Sequence, residues 1–397
     1  MKVLMVSDVA LPRVNGVSTA IATYRNRLDS YGIETRLIAP RYGDEPQEAS
    51  TTRLPGWRLP FDPEDRLVPP LRMRRAVCEA ASNADLIHIQ TPFSAHYAAI
   101  AAARRFNLPV VATYHTLFEE YLHLYAHALP ERATRALARA VSRAQCNALS
   151  ATIVPSSAMA QRLRDYGITT PLHVLPTGVP LMHFTVVDRA ASRARFRARH
   201  GIPNDNPLAL FVGRVAHEKN LEFLIEALGH AHGVVPELML LIAGDGPAAD
   251  RLREVARASG RTDRIRFLGY LDREAGLPEC YAAADLFAFA SRTETQGLVL
   301  VEAMAVGLPV VALAEMGTRD LLATGHGALV PPDDVAAFGA AMARLATDHA
   351  LRERLGEEAK ALAREWSDLT LTSRLATLYR EIESSHRRAF QRQVSWS

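Results

Sequence analysis

The sequence predicts the α/β class, with two doubly wound domains, on three observations. Short runs of Val, Ile and Leu alternate with amphipathic stretches of helical length, the pattern of parallel strands covered on both faces by crossover helices. At 397 residues, with 48% hydrophobic and 22% charged content, the chain is longer than one core normally supports. A turn-rich break, Pro176-Thr177-Gly178-Val179-Pro180, separates two sets of strands and leads into an Arg-rich helical segment.

In the first half the pattern predicts strands over 2–7, 34–39, 85–89, 109–113, 151–154 and 172–175. In the second half it predicts them over 208–212, 238–243, 265–268, 285–289, 309–313 and 328–330. The hinge is placed near residue 185, giving domains over 1–185 and 186–365. From 333 onward the pattern is helical. Leu369, Leu371, Leu375, Leu378 and Ile382 fall at helical spacing with no strand after them, so 366–397 is expected to be a helix returning to the first domain. In open α/β sheets ligands bind beyond the carboxyl ends of the strands, so a ligand is expected between facing strand ends of the two domains.

Composition narrows the function classes. No apolar run approaches the roughly 20 residues that span a bilayer, and the first eight residues read as a strand and not a leader, so a cytoplasmic protein is expected. Cys78, Cys146 and Cys280 are too scattered for a disulfide framework or a CxxC zinc site. The net charge of +3 is mild, and without basic-aromatic interleaving it argues against nucleic acid. The positive excess lies in residues 1–180, with 20 Lys plus Arg against 15 Asp plus Glu, as an anionic partner or ordinary solvated helices would each give.

Candidate site residues follow the strands. Gly16, at the turn into the first helix, lets backbone approach a phosphate or sugar, as a plain turn glycine also would. In Gly213-Arg214-Val215-Ala216-His217-Glu218-Lys219-Asn220, Arg214 supplies a fork of donors and Lys219 a point charge, suited to a diphosphate leaving group. Lys219 stands out because Lys2 and Lys360 are the other two lysines of the chain. Ala243-Gly244-Asp245-Gly246-Pro247 leaves backbone open for a base or ribose, although a tight turn explains the glycines equally. The fullest constellation runs from Ser291 to Met304. A helix opening near Gly297 leaves the N–H groups at 297 to 299 for a diphosphate, with Glu294 before the helix and Glu302 about one turn inside it. Exposed helix acids would read the same way.

The spacing of Glu294 and Glu302, with Gly213-Arg214, Lys219, Ala243 to Pro247 and Ala303-Met304-Ala305-Val306-Gly307-Leu308-Pro309, resembles the retaining glycosyltransferase family 4 of the GT-B fold, over nearly the whole chain and in the family's order. The resemblance implies two Rossmann-like domains, with Arg214 and Lys219 on the donor diphosphate and Glu302 on the ribose. It implies Glu294 on the donor sugar, Gly297 and Leu298 as backbone contacts, and the base near Gly269, Tyr270 and Leu271. His115, in Thr113-Tyr114-His115-Thr116, matches the position from which family members reach the donor sugar. Gln296 departs from the aromatic that many members carry there. Thr293 to Leu298 together with Tyr114 to His123 is similar to the subset that glycosylates diacylglycerol.

The chemistry so implied is a retaining transfer in which fixed cations absorb the leaving charge. With no D-x-D cluster at a strand end, no metal and no other cofactor is expected beyond the nucleotide-sugar donor. Arg132, Arg135, Arg139 and Arg143 form one stripe of a helix within 131–150, with Leu137, Ala140, Val141 and Ala144 on its other side. Arg72, Arg74 and Arg75 add a second basic cluster. These could dock on anionic headgroups at the inner face of a membrane and admit a lipid acceptor, while a glycan acceptor remains open. A sugar-nucleotide epimerase and a non-catalytic nucleotide-sugar binder are the competing classes. A nicotinamide dehydrogenase is disfavoured by the missing GxGxxG.

Overall fold

The computed structural model describes all residues except 47, 60–63, 116–130, 186–187, 274–275 and 395–397. The chain forms two compact units, one of Met1–Gly178 with Asp368–Ser397 and the other of Val179–Ser367. The division falls at Gly178 and not near 185. Val179 already belongs to the second unit, where its N–H donates to Trp366 O at 3.0 Å, and Phe184 is buried edge-on to Tyr281.

The first unit is built on β1 (Lys2–Val6), β2 (Glu34–Pro40), β3 (Thr51–Leu54), β6 (Leu86–Ile89), β7 (Val110–Thr113), β8 (Ala151–Val154) and β9 (Leu172–Val174). All pairs are parallel, in the order β3-β2-β1-β6-β7-β8-β9. β3 carries no apolar signal in the sequence because Thr51-Thr52-Arg53-Leu54 is a polar edge strand with one buried residue. Nor does the antiparallel pair β4 (Trp57–Arg58) and β5 (Arg66–Leu67), two residues each. The helix Asp368–Val394 completes this unit. Its Asp368 pairs with Arg27 at 2.6 Å, and Tyr379 OH lies 2.5 Å from His88 Nδ1 in the core.

The second unit holds β10 (Leu208–Val212), β11 (Met239–Ala243), β12 (Ile265–Gly269), β13 (Leu286–Phe289), β14 (Val310–Ala312) and β15 (Ala328–Leu329). They are parallel, in the order β12-β11-β10-β13-β14-β15. β10, β11, β13 and β14 are buried at every position, which is why they read as continuous apolar runs. The Arg-rich segment after the break is the helix Arg189–Arg199, and its arginines serve the fold. Arg189, Arg193 and Arg197, four residues apart, donate to the carbonyls of Ala282, Ala283 and Ala284, which close the helix Gly276–Ala283. Arg197 is fully buried and also donates to Pro203 O, Asn204 O, Asn206 O and the Asp285 carboxylate, at 2.7–3.0 Å.

Candidate active site

In the second unit the strand order reverses between β10 and β13, so the loops leaving these strands diverge and open a crevice at the carboxyl edge of the sheet. Lys219 Nζ, from the first loop, donates to Glu294 Oε2, from the second, at 2.7 Å. Asn220 Nδ2 to Ala290 O and Ser291 Oγ to Glu218 O, both 3.1 Å, join the same loops. Burial by itself raises the Glu294 pKa. The charge and hydrogen bond of Lys219, with backbone N–H donors of Gly297 and Gln296, outweigh burial and hold the carboxyl below its usual range. Arg214, in the β10 loop, is exposed.

The glycines after β11 seat that loop against the β10 loop. Gly213 N donates to Ala243 O and Val215 N to Asp245 O, both at 3.0 Å. A Cβ on Gly244, at φ +138, would stand 1.9 Å from Gly213 O, and one on Gly246 would stand 2.4 Å from Val215 O. The Gly244 N–H is not open for a base or ribose, since it donates to Gly269 O at 2.8 Å. Tyr270 is exposed and Leu271 packs half-buried on the core.

Gly297, at φ +83, begins the helix Leu298–Ala305. Its N–H is not free for an anion as the sequence reading has it, because Glu294 sits just ahead of the helix and accepts it as a cap. The N–H groups of Leu298 and Val299 remain in the first turn, where no intrahelical acceptor reaches them. Gly317 fixes the loop from behind, donating to Glu294 O at 2.8 Å, and a Cβ there would stand 2.0 Å from Thr295 O. In the sequence, Gly317 is marked only by its place after a strand.

Glu302 is 1% exposed, which excludes an ordinary surface acid. Tyr281 OH donates to its Oε2 at 2.9 Å, and Arg273 pairs with its Oε1. Burial raises the Glu302 pKa, and Arg273 and Tyr281 work against the rise. Neither partner was legible: Tyr281 reads as a core aromatic and Arg273 as a solvated loop residue.

His115 and Gly16 lie in the first unit. His115 Nε2 is 2.9 Å from Gln90 Oε1, and burial pushes the imidazole down to about 4, so it is neutral near pH 7. Gly16 opens the helix Gly16–Leu28, capped by Asn15 and Ser18, with open space where a Cβ would stand, so neither sterics nor φ demands glycine there. This unit has its own reversal of strand order, between β1 and β6, and Asp8 stands in the loop that leaves β1 there. Its carboxylate accepts from Thr91 Oγ1 at 2.8 Å, Ser94 Oγ at 2.5 Å and Ala95 N at 3.2 Å, at the start of the helix Ser94–Phe106. Burial raises its pKa against those hydrogen bonds. A diphosphate arriving there would meet an acid, whereas in the second unit it meets Lys219, Arg214 and a helix end.

The helix carrying the arginine stripe spans Glu131–Cys146 and packs by its small residues, Thr134, Ala138, Ser142 and Cys146. Leu137 and Val141, expected on the other side of the helix from the arginines, are 50% and 40% exposed, and Arg132, Arg135, Arg139 and Arg143 are exposed as well. Small side chains let the helix approach the unit closely, and this leaves the large apolar ones outside. Residues 116–123 of the diacylglycerol-like spelling lie outside the described residues. Among the described residues no helix is long and apolar enough to cross a membrane.

Two Rossmann-like units, the second with a cation-lined crevice at its strand-order reversal, define the GT-B glycosyltransferase class. Residues 14–183 match the model of Glycosyltransferase Family 4, and residues 192–362 match that of Glycosyl transferases group 1. The chain is 29% identical to alpha-monoglucosyldiacylglycerol synthase of Streptococcus pneumoniae, over 90% of this chain and 82% of that protein. It is 31% identical to a GDP-mannose-dependent alpha-mannosyltransferase of Mycobacterium tuberculosis, over 83% and 84% of the two. The crystal structure of Anabaena Alr3699/HepE in complex with UDP superposes with a TM-score of 0.76 at 20% identity, covering 96% of this chain and all of that one. The chain belongs to glycosyltransferase family 4. It is a hexosyltransferase that uses a nucleotide-sugar donor.

Proposed function

We propose that the protein transfers glucose from UDP-glucose, with retention and without a metal ion, to a lipid acceptor such as diacylglycerol, as a cytoplasmic enzyme held peripherally at the inner membrane surface. The observation that carries the donor half is the Lys219–Glu294 pair bridging the two loops of the second unit's crevice, beside the helix end at Leu298. Lys219, Arg214 and the N–H groups of Leu298 and Val299 receive the diphosphate. The bond between the anomeric carbon and the phosphate oxygen breaks, and its electron pair leaves on the diphosphate. The acceptor oxygen then bonds to that carbon from the same face, its proton passing to the departing phosphate oxygen. Glu294 orients the sugar, Gly297 and Leu298 line it by backbone, and His115 meets a hydroxyl. Tyr270 and Leu271 flank the base. Glu302 accepts from the ribose hydroxyls once the Arg273 guanidinium moves aside, since a carboxylate 1% exposed cannot otherwise be reached. Fixed cations do the work a divalent ion would do, which is the ground for metal independence.

The lipid acceptor is supported by the exposed Leu137 and Val141 on the helix that carries the arginine stripe, and by the monoglucosyldiacylglycerol named in the pneumococcal relative. The mycobacterial relative supports a second reading, a mannosyl donor carried by GDP. The test incubates the protein with labelled UDP- and GDP-sugars, with and without diacylglycerol vesicles and chelator. Label in the lipid phase from UDP-glucose despite chelator is the expected result. Label from GDP-mannose alone moves the donor to the second reading, failure without added metal overturns metal independence, and label only in water-soluble glycan overturns the lipid acceptor.

A further inference from the structure

Gln90 follows β6 at the strand-order reversal of the first unit, and its backbone N–H is tied to Val6 O at 2.9 Å. Its side chain is nearly as buried as a core residue, at 2% exposure. Oε1 lies 2.9 Å from His115 Nε2, but the amide Nε2 has no hydrogen-bond partner among the described residues. An unmet buried donor costs about 1–3 kcal/mol, so a retained one calls for an acceptor that arrives from outside. The other unmet buried groups differ in kind. Thr152 and Thr372 are single hydroxyls in the core, and the Arg25 guanidinium is already bonded through its other nitrogens to Glu48 and Ser50.

A neutral imidazole carries one proton. Facing a carbonyl oxygen, that proton sits on Nε2, which leaves Nδ1 as an acceptor. We propose that Gln90 is a positioning and substrate-binding residue: its Oε1 fixes His115 as the Nε2–H tautomer, and its own Nε2–H donates to a hydroxyl oxygen of the bound sugar substrate. This rests on the reading of His115 as a residue that meets a substrate hydroxyl. It adds the residue that sets which imidazole nitrogen does so.

The test uses the full chain with ¹⁵N-labelled histidine and two variants. Q90E keeps an oxygen for His115 but lacks the amide donor; Q90M removes both. Long-range ¹H–¹⁵N spectra, with the His115 resonances identified from H115A, are expected to show the neutral Nε2–H tautomer in the wild type, a ring still protonated on Nε2 in Q90E, whose carboxylate favours the imidazolium, and loss of the Nε2–H tautomer in Q90M. With UDP-glucose and GDP-mannose as donors, both variants are expected to lower kcat/KM about tenfold or more for the donor that is turned over. A rise in the donor KM places the hydroxyl on the transferring sugar, and a rise in the acceptor KM places it on the acceptor; either supports the proposal. A wild-type His115 protonated on Nδ1, or a Q90E variant with unchanged kinetics, overturns it. If H115A turns over like the wild type while the tautomer result holds, the substrate role of His115 is what fails.

Discussion

His88 sits at the centre of the first unit, fully buried, with Nδ1 2.5 Å from Tyr379 OH and Nε2 2.7 Å from Thr113 Oγ1. It thereby ties the helix Asp368–Val394 to the sheet. Burial, followed by the nearby His115, lowers its pKa from 6.5 to about 3. The unfolded chain therefore binds a proton between pH 6.5 and about 3 that the folded unit refuses, and stability falls as pH drops through that window. Each pH unit below 6.5 costs about 1.4 kcal/mol, so His88 alone should remove about 2 kcal/mol at pH 5. Replacing it with Gln keeps a donor and an acceptor but removes the titration. Urea unfolding at pH 7 and pH 5, followed by far-UV circular dichroism, should show a smaller loss on acidification in H88Q, by about 2 kcal/mol. His115 titrates in both proteins and cancels. An equal loss in the two proteins would mean that His88 is not held neutral by its burial.

Three further outcomes follow from the second unit. Arg197→Met removes the guanidinium donor from Pro203 O, Asn204 O and Asn206 O and leaves Ala283 O and Asp285 to Arg193, so the unit should lose about 2–4 kcal/mol in chemical denaturation, and unchanged stability would contradict the staple. Gly244→Ala drives a Cβ into Gly213 O and should abolish nucleoside diphosphate binding in calorimetry with circular dichroism intact, whereas Gly16→Ala, with open space around it, should bind as the wild type. Because Lys219 opposes burial in holding the Glu294 pKa down, Lys219→Met should move the acid limb of the pH–rate profile to higher pH, and an unmoved limb would uncouple the pair.

The sheets were legible because buried parallel strands are uniformly apolar and end in glycine or polar turns; Leu208–Val212 and Met239–Ala243 leave little room for another reading. The edge strand Thr51–Leu54 was not, since a strand half-exposed over four residues has no periodicity to detect. Among site residues, Lys219 and Glu294 could be named because each follows a strand, and adjacent parallel strands bring their ends together. Arg273 and Tyr281 could not, because they meet Glu302 from a different loop and helix at sequence separations of 29 and 21. In the Glu131–Cys146 helix, spacing separates Leu137 and Val141 from the arginines but does not show that both stay exposed, because close packing selects the smaller Thr134, Ala138 and Ser142.

The central claim is that the nucleotide sugar is held at the carboxyl edge of the six-stranded sheet, where Lys219 and a helix end face it, and not at the corresponding edge of the first unit, where Asp8 does. Amide hydrogen exchange of the whole chain with and without saturating UDP or GDP reads this directly. Protection is predicted at 213–219, 244–247 and 291–299, with the peptides around Asp8 and Ser94–Ala95 unchanged. Protection confined to Asp8 and the start of the Ser94–Phe106 helix would contradict the account.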